Sequence, residues 1–324
     1  MENVDKQIKR DGCAEMRLNW LAFNLDTLAD CFFDRGMDLL LNEDQARSWS
    51  KTVGAVAVST PFAKQFPWFI PMASKLPTRI LEIMVPEIAR ILRLRQIQAA
   101  EAAEIHSLDL PLVTKTGKRH ELYRTILSSS LLDAREKEPG RISQEAFVVL
   151  VAGSETTARI LSTGSFHILE NRERVLTPLW EELTQVMPDP HKRPSVQELE
   201  RLPWLGWIIP PGTAASMTLR SILLDPKIFE DPETFRPERW LSSNPAVEHI
   251  SRYLVPFGHG SRMCLGYNTA MAMLYIGFAV FFRRYDFTLH DTFYERDIKI
   301  ERDCFNGEVS TGSKGIRVKY VDFA

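Results

Sequence analysis

The sequence predicts a mainly α-helical fold with small β elements, on three observations. Long stretches repeat apolar residues at three- and four-residue steps, the spacing of one helix face. Prolines crowd the stretch Met187–Glu238 and leave those periodic segments largely alone. Alternating apolar and polar residues, the mark of half-buried strands, occur only in short patches near the end.

In order along the chain, RLNWLAFNLDTLADCFF (Arg17–Phe33) is an amphipathic helix. PEIARILRLRQIQAAEAAEI (Pro86–Ile105) is a second, opened by Pro86, whose missing N–H costs nothing in a first turn. SQEAFVVLVAGSETTARILSTGSFHILE (Ser143–Glu170) is apolar on nearly every side at its middle. That predicts a helix inside the protein, with Ser143 as its N-cap. MPDPHKRP, LPWL, IPPGT and LDPKIFEDPETFRPERW then read as loops, short helices and small strands. Thr269–Phe282 is apolar, but at 14 residues it is too short to span a bilayer and reads as a buried helix. GIRVKYVDF, in the tail Asp297–Ala324, predicts a small β element. No internal repeat, low-complexity tract or clear second domain stands out, so one domain over residues 1–324 is expected.

A net charge of −2 excludes the basic surplus that nucleic-acid binding needs. Cys13, Cys31, Cys264 and Cys304 lie far apart without a CxxC, which argues against a zinc site, a redox pair or a disulfide framework. The start, MENVDKQIKRDG, is polar and mixed in charge, unlike a signal peptide or a membrane anchor.

The chemistry concentrates in PFGHGSRMCLG, Pro256–Gly266. A metal-ligating thiolate needs N–H donors around it. Gly258 and Gly260 let a tight loop turn backbone amides towards Cys264, Arg262 offers a cation for a carboxylate on a bound group, and Phe257 gives an apolar wall. Gly266 would let the following helix approach a flat cofactor closely. A glycine turn beside a structural cysteine is the plain alternative. However, the string satisfies six specified positions, a chance match on the order of 10⁻⁸ per starting point. The loop fits F-G-x-G-x-R-x-C-x-G, and here the chain resembles the cytochrome P-450 superfamily of heme-thiolate monooxygenases.

The resemblance implies that Cys264 is the axial ligand of heme iron. It also implies that Arg262, Phe257, Gly258, Gly260 and Gly266 form the heme-binding loop, on an incomplete cytochrome P-450 fold. The cofactor is then heme b, with electrons from NADPH through a reductase. AGSETT (Ala152–Thr157) matches the family's A-G-x-[DE]-T-[TS], which makes Glu155 and Thr156 the catalytic pair that delivers protons to bound oxygen. Physically, Thr156 would bond the carbonyl of Ala152, while Gly153 would leave space for a polar notch. An exposed glutamate beside a back-bonded threonine is the alternative. Phe147, Leu150, Val151 and Phe305 are candidate pocket residues.

LNWLAFNLDTLADCFF and KQFPWFIP look like fungal members, which implies a hydrophobic small-molecule substrate of secondary metabolism, such as a terpenoid or polyketide. The family usually resides at the endoplasmic-reticulum membrane, facing the cytosol. With no anchor in its polar start, this chain is expected to be cytoplasmic or peripheral. Its beginning resembles a point well inside the family's length.

FRPERW (Phe235–Trp240) resembles a segment whose arginine joins an ExxR helix to lock the cysteine loop. In LERLPWLGWIIPPGT (Leu199–Thr213) the flanks of that helix abut, with no room for it between Leu205 and Trp207. Of the four bare ExxR matches, Glu198–Arg201 lies nearest but on the wrong side of LPWL, and reads as a solvated helix pair. Arg239 is therefore expected to lack its partners, a loss of about 3–5 kcal/mol for a buried charge. Weak or no heme incorporation is the expectation. A truncated, catalytically inactive relative and a heme-free binding protein stay open beside the monooxygenase.

Overall fold

A computed structural model describes residues 2–33, 36–68, 71–72, 81–82, 86–107, 121–191, 194–205, 223–258, 263–304 and 306–321. The helices are α1 (Glu2–Asp11), α2 (Met16–Leu28), α3 (Glu43–Gln65), α4 (Pro86–Ser107), α5 (Glu121–Ser128), α6 (Pro139–Glu170), α7 (Thr177–Val186), α8 (Val196–Leu199), α9 (Val247–Ser251) and α10 (Tyr267–Arg284). The strands are β1 (Ala14–Glu15), β2 (Phe287–Leu289), β3 (Arg302–Cys304), β4 (Asn306–Glu308) and β5 (Arg317–Tyr320). The predicted class, mainly α with small β elements, is the one observed.

The chain divides into two compact units, one of Leu21–Thr156 and one of Asn3–Trp20 with Thr157–Ala324, the boundaries falling inside α2 and α6. In the first unit, α2 runs on into a π-helical turn, Ala29–Phe33, so that the predicted Arg17–Phe33 segment is one continuous element. Phe33 packs edge-on against Tyr123 of α5 at 5.9 Å. Asp26 closes the next turn by accepting the N–H groups of Leu39 and Leu40. Asn42 then caps α3, accepting from the N–H of Gln45 at 3.1 Å, with Glu43 and Asp44 in the favourable first turn. α3 packs along α4.

α6 opens a turn earlier than Ser143. Pro139 starts it, and the Ser143 hydroxyl donates back to the Gly140 carbonyl at 2.9 Å instead of capping. The helix is also not buried all round, because Gln144, Val148, Ala152 and Thr156 form an exposed stripe at four-residue steps. Glu198 caps the short α8 by a reciprocal pair with Ser195.

In the second unit, two glycines let helices meet closely. A Cβ on Gly164 of α6 would strike the Phe278 ring of α10, and one on Gly277 would stand 3.0 Å from Leu161 and 3.4 Å from Trp20. Phe281 and Phe282 of α10 are fully buried there, each contributing roughly 1.5–3 kcal/mol. Among the described residues no helix is long and apolar enough to cross a membrane. A three-stranded antiparallel sheet, in the order β1-β5-β2, pairs Ala14 with Val318 and Phe287 with Tyr320, which places the predicted β element of the tail at its centre. β3 and β4 pair as a separate two-stranded ladder. Glu308 of β4 reaches Arg159 of α6 at 2.7 Å and thereby ties the ladder to that helix.

His167 lies among aromatic rings on α6, stacked on Phe235 at 4.8 Å. Burial lowers its pKa from 6.5 to about 4. The folded state thus refuses a proton that the unfolded chain accepts. Its stabilising effect is full above about pH 6.5 and is lost as pH falls towards 4. Wild type should lose about 3 kcal/mol more than His167→Phe between pH 7 and pH 4 in denaturant melts. Equal losses would refute the assignment. Gly164→Ala should cost about 1–3 kcal/mol in the same melts, because Phe278 must leave its place.

Candidate functional site

Two features carry the predicted chemistry, one in each unit. The thiol loop lies between α9 and α10. The Gly258 N–H donates to the Val255 carbonyl at 3.0 Å, and the Cys264 N–H donates to the Phe257 carbonyl at 2.8 Å, which closes the loop at its neck. Gly258 sits at φ +74°, a left-handed conformation that favours glycine. Cys264 is a free, exposed thiol. Gly266 follows as the N-cap of α10, and its carbonyl accepts the Ala270 N–H at 2.8 Å. A Cβ on Gly266 would stand 3.9 Å from the Cys264 sulfur, so glycine keeps the ground beside the thiol clear. The first-turn amides of α10 lie outside the helix ladder and favour negative charge just before them, where the thiol is. Phe257 is braced edge-on by Tyr267, with centroids 4.9 Å apart. Tyr267 was not singled out from the sequence, although its place directly after Gly266 marks it.

Phe257, Gly258, Cys264 and Gly266 are therefore one structure, while Gly260 and Arg262 lie outside the described residues. Apolar surface flanks the thiol, with Leu265 99% exposed and Met263 47%. A free, exposed thiol, a side-chain-free position beside it and an apolar shelf form a donor set that fits a flat, apolar, thiolate-ligated macrocycle. The residues present fit heme.

The acid–alcohol pair lies on α6. The Thr156 hydroxyl donates to the Ala152 carbonyl at 2.9 Å, and both residues belong to the exposed stripe. The helix runs unbroken through this bond. Glu155 is only 4% exposed, and the exposed-glutamate alternative falls. The space expected beside Gly153 is filled, because a Cβ there would stand 2.9 Å from Leu28, and Asn24 of α2 donates to the Ser154 carbonyl at 3.1 Å. Any polar notch lies instead along the Ala152–Thr156 stripe. Phe147 and Leu150 turn into the interior, Phe147 under the Arg95 guanidinium, and Val151 is half-buried. The open face carries Val148 and Ala152 in their place, which four-residue steps back from Thr156 would have found. Phe305 lies outside the described residues.

Arg239 does not stand without partners. Its guanidinium donates to the carbonyls of Glu230 (2.8 Å), Arg236 (3.1 Å), Thr234 (3.1 Å) and Asp231 (3.2 Å). Burial, with Arg236 close by, lowers its pKa. The Leu205–Trp207 junction, where the ExxR segment was expected to be missing, falls outside the described residues from Gly206 onward.

Comparison with known proteins agrees with this architecture. The sequence profile of the family described as Cytochrome P450 matches residues 1–209 and 205–319, two stretches that meet at that same junction. Tryptophan 6-hydroxylase of Fusarium equiseti is 33% identical over 94% of this chain and 64% of its own length. A cytochrome P450 monooxygenase of Ascocoryne sarcoides is 30% identical over 95% of this chain and 67% of its own. N-acetyltryptophan 6-hydroxylase of Emericella nidulans is 28% identical over 94% and 65%. The chain thus spans about two thirds of the length of these relatives. The crystal structure of the cytochrome P450DA heme domain superposes with a TM-score of 0.69 at 16% identity, covering 100% of this chain and 71% of that one, a likeness of fold. By the profile that covers nearly its whole length and the fold it shares, this chain belongs to the cytochrome P450 family.

Proposed function

We propose that the chain, as one partial domain over residues 1–324, serves a heme-thiolate monooxygenase. An apolar substrate RH, O₂, two electrons and two protons give ROH and water. The observation that carries this reading is the Cys264 thiol, exposed beside Gly266 in a loop closed by the Phe257 carbonyl. Heme b, bound through that thiolate, supplies the reduction and cleavage of O₂.

The chain's own residues do the rest. Cys264 ligates, its charge eased by the start of α10. Gly266 and Gly258 keep the backbone close, Met263 and Leu265 give apolar cover, and Arg262 and Gly260 belong to the loop by sequence. With its proton committed to Ala152, the Thr156 oxygen is left to accept from a water and hold it on the exposed stripe. Glu155, buried one residue before, is the acid that resupplies the proton.

Electrons come from NADPH through a P450 reductase, and the protein works at or near a membrane facing the cytosol, without spanning it by these residues. Fungal relatives support a small secondary metabolite as substrate. A terpenoid or polyketide is the class read from the sequence. Two of the fungal relatives are hydroxylases of tryptophan and N-acetyltryptophan, so a substrate screen starts with aromatic amino acids beside terpenoids and polyketides. One observation favours a second reading, a heme-free or inactive relative: the family match breaks at residues 205–209, where the ExxR segment is expected.

The full chain, supplied with hemin, reduced and exposed to CO, should give a thiolate-type Soret band that Cys264→Ser abolishes. No band in wild type, with a cooperative melt retained, would establish the heme-free reading. Thr156→Val should keep the band and lower product formed per NADPH consumed about tenfold or more. Unchanged coupling would remove Thr156 from proton delivery.

A further inference from the structure

β3 and β4 form a ladder of three residues a strand, separate from the three-stranded sheet. A two-stranded ladder this short does not hold itself in water, so its place is set by what grips it. One grip is ionic. Glu308 of β4 is 9% exposed and offers one oxygen to each of two arginines. Its Oε1 accepts from Arg159 of α6 at 2.7 Å, and its Oε2 lies 3.9 Å from Arg17 in the first turn of α2. We infer that Glu308 is a latch, a positioning residue that holds the ladder down on α6 and α2 and frees it as a flap when the bridge breaks.

Both arginines rise from backbone that is itself fixed. Glu15 accepts the N–H groups of Arg17 and Leu18, each at 2.9 Å, and the Met16 N–H donates to the Ile316 carbonyl at 2.6 Å. That pins the start of α2. Arg159 stands between the buried Ala158 and Ile160, on the helix that meets α10 at Gly164. The ladder is the part with least behind it. Its base closes where the Glu308 carbonyl accepts the Glu301 N–H at 2.9 Å, and Ile300 lies over Gly307, where a Cβ would strike it. One residue thus shuts the ladder through its backbone and ties it down through its side chain.

Charge-assisted bonds from guanidinium to carboxylate are stronger than neutral ones, and a shielded pair is screened less than a surface pair. A glutamine at 308 keeps the shape and the backbone bond but removes the charge. The latch falls at a telling place, because Arg159 follows Thr156 by three residues along α6. It stands on this geometry whether or not Cys264 ligates heme, and so goes beyond the proposed function without resting on it.

The test is hydrogen exchange on the full chain, resolved by fragment mass spectrometry. The Glu301 amide reports on the ladder, and the His290 amide, which donates to the Arg317 carbonyl in the three-stranded sheet, is the reference. Glu308→Gln should raise exchange at Glu301 at least tenfold and leave His290 within twofold of wild type. Arg159→Met should give the same rise. The double variant should rise no further than either single one, because both changes break one bridge. A general loss of stability would raise His290 along with Glu301, and two independent contacts would multiply their effects. Either result overturns the latch, as does an unchanged Glu301 in Glu308→Gln. If either variant lacks a cooperative melt, Arg17→Met decides, since it removes only the more exposed grip. A rise at Glu301 of threefold or more then supports the latch, and unchanged exchange refutes it.

Discussion

The second unit depends on the contact of α6 with α10 at Gly164 and Gly277. At each glycine a ring or branched side chain from the partner occupies the volume a Cβ would need. That closeness seals Phe278, Phe281 and Phe282 in the interior and fixes the axis of α10. The thiol sits two residues ahead of the cap of that helix, so its placement is inherited from a contact far along it. A helix bearing larger residues at these positions would still be helical, but its first turn would start elsewhere.

A second theme concerns the proline-rich stretch. Irregular backbone without a ladder leaves carbonyls unpaired, and this unit answers with arginines. Arg239 collects four of them, Arg283 takes those of Met187 and Pro188, Arg284 takes that of Pro190, and Arg174 takes that of Phe235. Orphaned acceptors inside a protein cost more than most ion pairs contribute, which makes this a thrifty use of guanidinium groups. It also explains why the missing ExxR segment was a poor guide to whether Arg239 finds partners. Ion-pair reasoning sees charges along the sequence, whereas a carbonyl is present at every residue and leaves no mark there.

Legibility followed the same divide. The helices at Arg17, Pro86 and Thr269 were plain because their periodicity is strong, and the strand at Arg317 because its alternation is. The helix Glu43–Gln65 went unread: Gly54, Pro61 and several hydroxyl residues blur its apolar face, and its N-cap signal, Asn42 before Glu43 and Asp44, is local. In the site, the identities of Cys264 and Thr156 and the Ala152 bond were legible from motif and helix arithmetic. The filling of the Gly153 space by Leu28 was not, because that contact joins residues over a hundred positions apart.

The small sheet has a consequence for synthesis. Its middle strand, β5, emerges after both neighbours, and one of those, β1, contains the fourteenth and fifteenth residues. Until β5 is made, first Ala14 and then Phe287 have no strand to pair with, and this unit stays open along that edge. Loop-closure entropy for so distant a pairing is met only once, at the end. Pairing β5 with β1 thus closes a loop over nearly all the residues between them, and the sheet is the last part of this unit that can form.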